Sequence, residues 1–197
     1  MDKQRQQPRL TTNQQIVVWV QGQLGKTVGK GECWDLAEQA LKQAGAQTSN
    51  DLGPVEKDTD YIWGEPINDV KDVGPGDILQ FRDYVVTTTI KTEYSFSDGS
   101  GLVETTEDTA ERGHHTAIVN GKLDGDGAVK TLEQHVRPRG KVVQNKKLYM
   151  RNVPPVVTKT IAKRRHPTTK KIETAKVTNT ITITVTGTIW AYKPKPN

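Results

Sequence analysis

The hydrophobic pattern of the chain changes once, from helical spacing before residue 50 to strand-like alternation after residue 76. A first helix is predicted near the start, because Thr12 and Gln15 have the spacing of a capping box, and it would end near Gly25. The apolar residues that recur at helical spacing in this segment are Ile16, Val17, Val20 and Leu24. Residues 1–10 are polar and lack periodicity, so we expect a flexible arm there.

A second helix is predicted after the glycine-rich loop at 25–31. It would begin at Cys33 and run to Ala44, with Gly45 in the position of a C-terminal cap. The small and apolar residues on one face of this helix are Cys33, Leu36, Ala37, Ala40, Leu41 and Ala44. Cys33 is therefore expected on the first turn of a helix whose same face is buried.

The rest of the chain is predicted to be mainly β-structure. After a loop at 50–60 and a turn at 74–76, the expected strands are 77–81, 85–96, 102–106, 116–123, 128–136 and 141–150, with a last strand ending at 189–192. The runs at 97–101 and 124–127 are rich in Asp and Gly, which tolerate the left-handed conformations of hairpin turns. Helices followed by antiparallel strands indicate the α+β class, in one domain over 11–192 with a tail at 193–197.

Composition excludes several classes of protein. The chain of 197 residues has a single cysteine, Cys33, which rules out an internal disulfide framework and a multi-cysteine metal site. No run approaches the roughly 20 apolar residues of a membrane span, and the cluster at 16–20 is too short for a signal-peptide core. We expect a soluble monomer without a cofactor, and the compartment is not determined by the sequence.

Cys33 has two interpretations. At a helix start the helix dipole favours a thiolate, free backbone N–H groups can hold an oxyanion, and the glycine-rich loop before it would let a substrate approach. Alternatively, Cys33 is a small buried core residue, since free cysteines are among the most buried residue types. The histidines favour the first interpretation, because a thiol nucleophile needs a base, and His115 lies at the start of a predicted strand. The next strand ends in the polar residues of Leu132-Glu133-Gln134-His135, which could orient the imidazole.

Four short motifs together resemble the papain-like CHAP amidohydrolases and peptidases and their NlpC-type relatives. They are GECWDLAEQAL around Cys33, GPGDILQF at 74–81, HTAIV from His115, and LEQH at 132–135. The resemblance implies a papain-like fold, with N-terminal helices packed on an antiparallel sheet or partial barrel. It also implies amide hydrolysis, with Cys33 as nucleophile, His115 as base and then acid, and either Glu133 or His135 as the residue that orients His115.

The resemblance further implies a peptide or peptidoglycan-like substrate. We expect Trp34, Trp63 and His114 to contact it, Trp34 as a wall of the cleft. Residues 84–112 are interpreted as an enlarged hairpin inserted before the histidine strand, which could build a substrate groove or cover the site.

Other sites were weighed against this one. A metal site formed by His114, His115 and His135 is disfavoured, because adjacent residues of a strand point to opposite faces. The basic hairpin or loop at 155–178 could bind an anionic partner, which would make the chain a non-catalytic papain-like interaction module. The residues that would carry this binding are Lys163, Arg164, Arg165, Lys170 and Lys171.

Overall fold

The structure, a computed structural model, describes residues 9–56 and 58–197. The helices are α1 (Thr12–Gln21), α2 (Cys33–Gln43) and the single turn α3 (Ser49–Leu52), with a 3₁₀ turn at Val70–Asp72. Most of the arm predicted at 1–10 lies outside the described residues. In the part of the chain that is described, no helix is long and apolar enough to cross a membrane.

The strands form one antiparallel, open sheet. They are β1 (Glu65–Ile67), β2 (Ile78–Ser95), β3 (Gly101–Val119), β4 (Ala128–Glu133), β5 (Gln144–Tyr149), β6 (Val153–Arg165) and β7 (Ile172–Lys193). Among the described residues the sheet has seven strands in the order β1-β7-β2-β3-β4-β5, and β6 pairs with β7. The prediction of N-terminal helices followed by an antiparallel sheet is confirmed.

Two compact units divide the chain. The first contains the described residues up to Tyr84 together with 112–150 and 187–197, and the second contains 85–111 and 151–186. The strands β2, β3 and β7 each have residues in both units. The second unit includes nearly all of the hairpin predicted at 84–112 and the basic hairpin or loop predicted at 155–178.

The first helix begins one residue earlier than expected and ends sooner. Its N-cap is Thr11, whose side chain accepts a hydrogen bond from the Gln14 backbone N–H, while the Gln14 side chain accepts from the Thr11 N–H. The predicted capping box of Thr12 and Gln15 was therefore wrong by one position, because two consecutive Thr residues offer the same spacing. Gly22 caps the helix after Gln21, and Gly25 has a φ of 75°, so Leu24 lies outside the helix.

The core of the first unit lies between the helices and the sheet. Ile16 and Val20 of α1 are fully buried, and they belong to one cluster with Leu36 and Leu41 of α2. Ile118 of β3 and Leu132 of β4 close this cluster from the sheet. Burial of an apolar side chain stabilises a fold by about 1.5–3 kcal/mol, so these contacts fix α2 against the strands that carry the polar residues of the site.

Three elements differ from the sequence-based expectation. The strands predicted at 77–81 and 85–96 merge into the single strand β2, and those at 102–106 and 116–123 merge into the single strand β3, which ends at Val119, so the second of them was predicted four residues too long. Both strands continue through polar, Thr-rich stretches, which lack the apolar alternation by which a strand with one buried face is recognised. The loop expected at 50–60 begins inside α3, which is too short to show a helical period.

Candidate active site

A tight loop positions the N-terminus of α2. The Asp35 carboxylate accepts hydrogen bonds from the backbone N–H groups of Lys30 and Glu32 at 2.7 and 3.1 Å, which ties the first turn of the helix to the loop before it. Gly29 has a φ of 59°, and a Cβ there would meet the Asp35 side chain at 2.7 Å. Glycine is thus required at this position, and Cys33 is held as the first residue of α2.

Gln134 fastens the same loop to the end of β4. Its side chain is fully buried, accepts a hydrogen bond from the Val28 N–H at 2.7 Å, and donates to the carbonyl oxygens of Val28 and Glu32 at 2.9 and 2.8 Å. The residue after Glu133 therefore anchors the residue before Cys33. This role of Gln134 was not predicted, although Gln134 lies inside the LEQH motif.

Cys33 is partly exposed rather than sealed in the core. Burial raises the pKa of its thiol, but the hydrogen bond and charge of His115 and the backbone N–H groups of Thr116 and Trp34 together outweigh that effect, so the pKa is lowered from its ordinary value. A lowered pKa means that a larger share of the sulfur is thiolate, the nucleophilic form, near neutral pH.

The pairing of β3 with β4 brings His115 and Glu133 to the same face of the sheet. Ile118 lies opposite Leu132 and Val119 opposite Thr131, and continuing this antiparallel register places His115 diagonally across from Glu133. His115 Nε2 and Glu133 Oε2 are 3.1 Å apart. His115 also interacts with the Cys33 side chain, and Nδ1 is the imidazole nitrogen that the contact with Glu133 does not use.

Two further side chains hold the Glu133 carboxylate, and sequence analysis missed both. Arg112 donates from Nε to Glu133 Oε2 at 2.8 Å, and Thr131 donates from Oγ1 to Oε1 at 2.6 Å. The Glu133 side chain is fully buried and that of Arg112 is 12% exposed, so the ion pair is largely removed from water. A strand period could have indicated Thr131, two residues before Glu133, but no signal in the sequence pairs Arg112 with Glu133.

The neighbouring groups of the site shift the pKa values of Glu133 and His115 so that their charged forms are favoured. Burial raises the pKa of Glu133, but the hydrogen bond and charge of His115, with Arg112 and Thr131, lower it to about 2. Burial lowers the pKa of His115, but Cys33 and Glu133 raise it to about 9. At neutral pH the His115 imidazolium and the Glu133 carboxylate are therefore the favoured forms, and the lowered pKa of the Cys33 thiol raises its share of thiolate.

Thr116, the residue after His115, belongs to a buried network of hydrogen bonds. The Thr116 hydroxyl donates to Gln80 Oε1 at 2.8 Å, and Trp63 Nε1 donates to the same oxygen at 3.2 Å. Gln80 and Trp63 are fully buried. Trp63 was expected to contact substrate, and that expectation is corrected here, because a side chain without exposed surface cannot touch a bound molecule in this arrangement.

The other predicted site residues occupy different positions. His135 has a φ of 65° and is half-exposed, and its Nδ1 lies 2.6 Å from Glu32 Oε2, so the structure places Glu133, and not His135, beside His115. His114 packs on the ring of Tyr61, with 5.0 Å between centroids. Trp34 is partly buried and donates from Nε1 to the Ser49 hydroxyl at 2.9 Å.

The metal site weighed for His114, His115 and His135 can be compared with how these side chains are grouped. Among the residues that the structure describes, no three His, Cys, Asp or Glu side chains are grouped so that they could hold an ion. The carboxylate next to His115 is instead engaged by Arg112, whose charge competes with a cation for the same oxygen.

A cysteine at a helix start, a histidine on a strand and a carboxylate beside that histidine, on helices followed by an antiparallel sheet, are the arrangement of a cysteine-proteinase fold of the papain type. The chain belongs to the AIM3/BBC1 cysteine proteinase-fold domain family, whose model matches residues 6–153. No curated protein and no solved structure significantly matches the chain. The predicted papain-like fold is thus confirmed, whereas the finer relation to CHAP and NlpC-type enzymes stays a prediction.

Proposed function

We propose that this chain is a cysteine-dependent amide hydrolase, a peptidase or amidase that uses Cys33, His115 and Glu133. The observation that carries the proposal is the joint placement of a partly exposed Cys33 and a buried His115–Glu133 pair on elements that are packed together. A buried structural cysteine would have no need of an ionised carboxylate and a positively charged imidazole beside it.

The reaction would proceed by acyl transfer. The Cys33 thiolate attacks the amide carbonyl carbon, and backbone N–H groups at the start of α2 hold the oxyanion. His115 gives its proton to the leaving amine, which departs and leaves a thioester on Cys33. A water molecule then attacks the thioester while His115 accepts its proton, and the acid is released with the thiolate restored.

The substrate class is proposed from the resemblance to CHAP and NlpC-type enzymes: a peptide or a peptidoglycan-like peptide. Trp34 and His114 would contact it, and the hairpin at 84–112 would act as an insertion that shapes access. Tyr61 would add a third side chain to that surface, because it is partly exposed and packs on both His114 and Trp63, with the Trp63 centroid at 5.9 Å.

A second candidate function is a papain-like interaction module that binds an anionic partner and does not hydrolyse it. The observation that favours it is the basic hairpin of β6 and β7, in which residues 153–178 contain seven basic residues and one acidic residue, Glu173. The two candidates occupy different parts of the chain and can be tested separately.

Cleavage can be tested with a mixture of unstructured peptides and peptidoglycan stem peptides, with products identified by mass spectrometry. The proposal predicts cleavage by the wild-type chain and its loss in Cys33→Ser, which preserves side-chain size, and in His115→Asn, which keeps a polar side chain without a titratable nitrogen. The control is Lys122→Glu, an exposed change in a loop. Equal cleavage by wild type and Cys33→Ser would show that Cys33 is not the nucleophile, and no cleavage of any substrate by wild type would favour the interaction module.

A further inference from the structure

The strand β6 has a long outer edge without a pairing partner. Within residues 9–56 and 58–197 it pairs with β7 alone, from Val153 opposite Ile183 to Arg165 opposite Ile172. Nearly every residue of β6 is exposed. An unpaired strand edge presents a row of backbone N–H and C=O groups that another extended segment can complete.

One face of this hairpin is both basic and apolar. The register places Ile161 opposite Lys176 and Lys163 opposite Thr174, while the intervening Ala175 and Val177 are buried on the other face. The side chains on the exposed face include Val157, Lys159, Ile161, Lys163, Arg165, Ile172 and Lys176. Ile161 is 72% exposed and Ile172 is 61% exposed, an unusual degree for isoleucine.

Apolar and basic residues alternate along this face of β6 from Val157 through Lys159 and Ile161 to Lys163, and a second basic residue, Arg165, follows. Among the described residues, no ion pair includes Lys159, Lys163 or Lys176, so their charges are not neutralised there. The neighbouring Arg164 belongs to the other face and is paired with Glu104. The exposed face therefore has a surplus of positive charge at fixed, strand-like intervals.

We propose that the outer edge of β6 binds an extended peptide segment of a partner protein. Every second residue of this segment lies on the face that matches the exposed face of the hairpin, and on that face apolar and acidic side chains alternate. The segment adds to the sheet as a further strand. Its backbone satisfies the free edge of β6, its acidic side chains face Lys159 and Lys163, and its apolar side chains cover Ile161 and Val157. This inference specifies the interaction-module candidate and does not depend on hydrolysis at Cys33.

Charge complementarity and the strand period favour a peptide over a nucleic acid. A single-stranded nucleic acid is usually bound by aromatic side chains that stack on its bases, and the exposed face of the hairpin has none. A phosphate backbone also gains nothing from the apolar side chains of Val157, Ile161 and Ile172. Lysines on an edge strand disfavour pairing with a second identical edge, because like charges would then face each other.

The test uses a fluorescein-labelled peptide, Val-Thr-Glu-Thr-Val-Thr-Glu-Thr-Glu, and the full chain, with affinity measured by fluorescence anisotropy. We expect binding that weakens with salt and falls about tenfold or more in Lys159→Glu/Lys163→Glu, with no change in Lys122→Glu or Cys33→Ser. Hydrogen exchange should show new protection at alternate amides of 156–165 when the peptide is bound.

Two altered peptides make the test specific. A backbone N-methylated version keeps all charges but cannot complete the strand edge, and a version with the acidic residues clustered keeps the composition but loses the period. Both should bind at least about tenfold more weakly. Equal binding of the N-methylated peptide would overturn strand addition, and equal binding of the clustered peptide would overturn the match between the acidic residues and the lysines. The proposal would also be overturned by a poly-uridine RNA that binds more tightly and displaces the peptide, or by the absence of any binding. Retained binding by Cys33→Ser separates this outcome from failure of the proposed hydrolysis.

Discussion

His115 Nε2 lies 3.1 Å from Glu133 Oε2, and both side chains are at most 6% exposed. An imidazole and a carboxylate so far removed from water retain their charges only if other groups stabilise them. Cys33 does this for His115, and Arg112 and Thr131 do it for Glu133. His115, Glu133, Arg112 and Thr131 thus form one connected group beside the Cys33 thiol.

Glu133→Gln should lower the pKa of His115. The Glu133 carboxylate raises that pKa toward about 9, so its neutral amide removes part of the increase. Because the thiolate–imidazolium pair exists only below the pKa of His115, the alkaline limit of activity should move to lower pH, and the rate should fall by about 10²-fold or more. NMR titration of the His115 ring protons measures the shift directly. Glu65→Gln, an exposed change on β1, is the control and should leave the titration unchanged.

Arg112→Met should destabilise the fold by up to about 3–5 kcal/mol, because it removes one of the two cations beside the buried Glu133 carboxylate and leaves only the His115 imidazolium. Urea unfolding at pH 7 measures this loss. Arg139→Met, an exposed change, should cost less than about 0.5 kcal/mol. A loss equally small in Arg112→Met would show that the ion pair does not stabilise Glu133.

The stability of the wild-type chain should fall below pH 4.5. The pKa of Glu133 is lowered from 4.5 in the unfolded chain to about 2 in the folded one, so its contribution is fully present above pH 4.5 and is lost as the pH falls toward 2. That contribution is on the order of 3 kcal/mol. Unfolding free energies between pH 2 and 7 should therefore show a smaller acid loss in Glu133→Gln than in wild type. Parallel curves would contradict this account.

Gln134→Ala should loosen the loop before Cys33. The change removes three hydrogen bonds to Val28 and Glu32, and unsatisfied buried groups cost about 1–3 kcal/mol each. Amide exchange at Val28 should become faster. Gln144→Ala is a matched control, since its buried side chain donates to the Val136 carbonyl oxygen instead. It should destabilise the fold without changing exchange at Val28.

The sequence identifies the three central residues of the candidate site better than the residues that hold them in place. Cys33, His115 and Glu133 are recognisable because each lies at a fixed point of a helix or strand, and the strand period puts His115 and Glu133 on one face. Arg112 could not be identified, because its pairing with Glu133 depends on how far β3 continues as one strand. The exclusion of His135 depends on a positive φ at the end of β4, which no pattern of side chains indicates.

The sequence likewise predicts some parts of the fold and not others. Helices α1 and α2 follow from capping and periodicity, apart from the one-residue choice between Thr11 and Thr12 and the early end of α1 at Gln21. The boundaries of β2 and β3 could not be predicted, because their outer halves are Thr-rich and polar and lack a clear apolar alternation. Trp63 was misjudged as a substrate contact for a related reason, since an aromatic residue beside a loop has no signature that separates a buried indole from an exposed one.

The central claim is that Cys33 is an activated thiolate held by His115. The rate of Cys33 alkylation by iodoacetamide, followed by mass spectrometry from pH 4 to 10, tests it most directly. We predict a midpoint below the ordinary thiol pKa of 9.0 in the wild-type chain and a higher midpoint in His115→Asn, with Lys122→Glu as the unchanged control. A wild-type midpoint at or above 9.0, or one that does not move in His115→Asn, would contradict the claim.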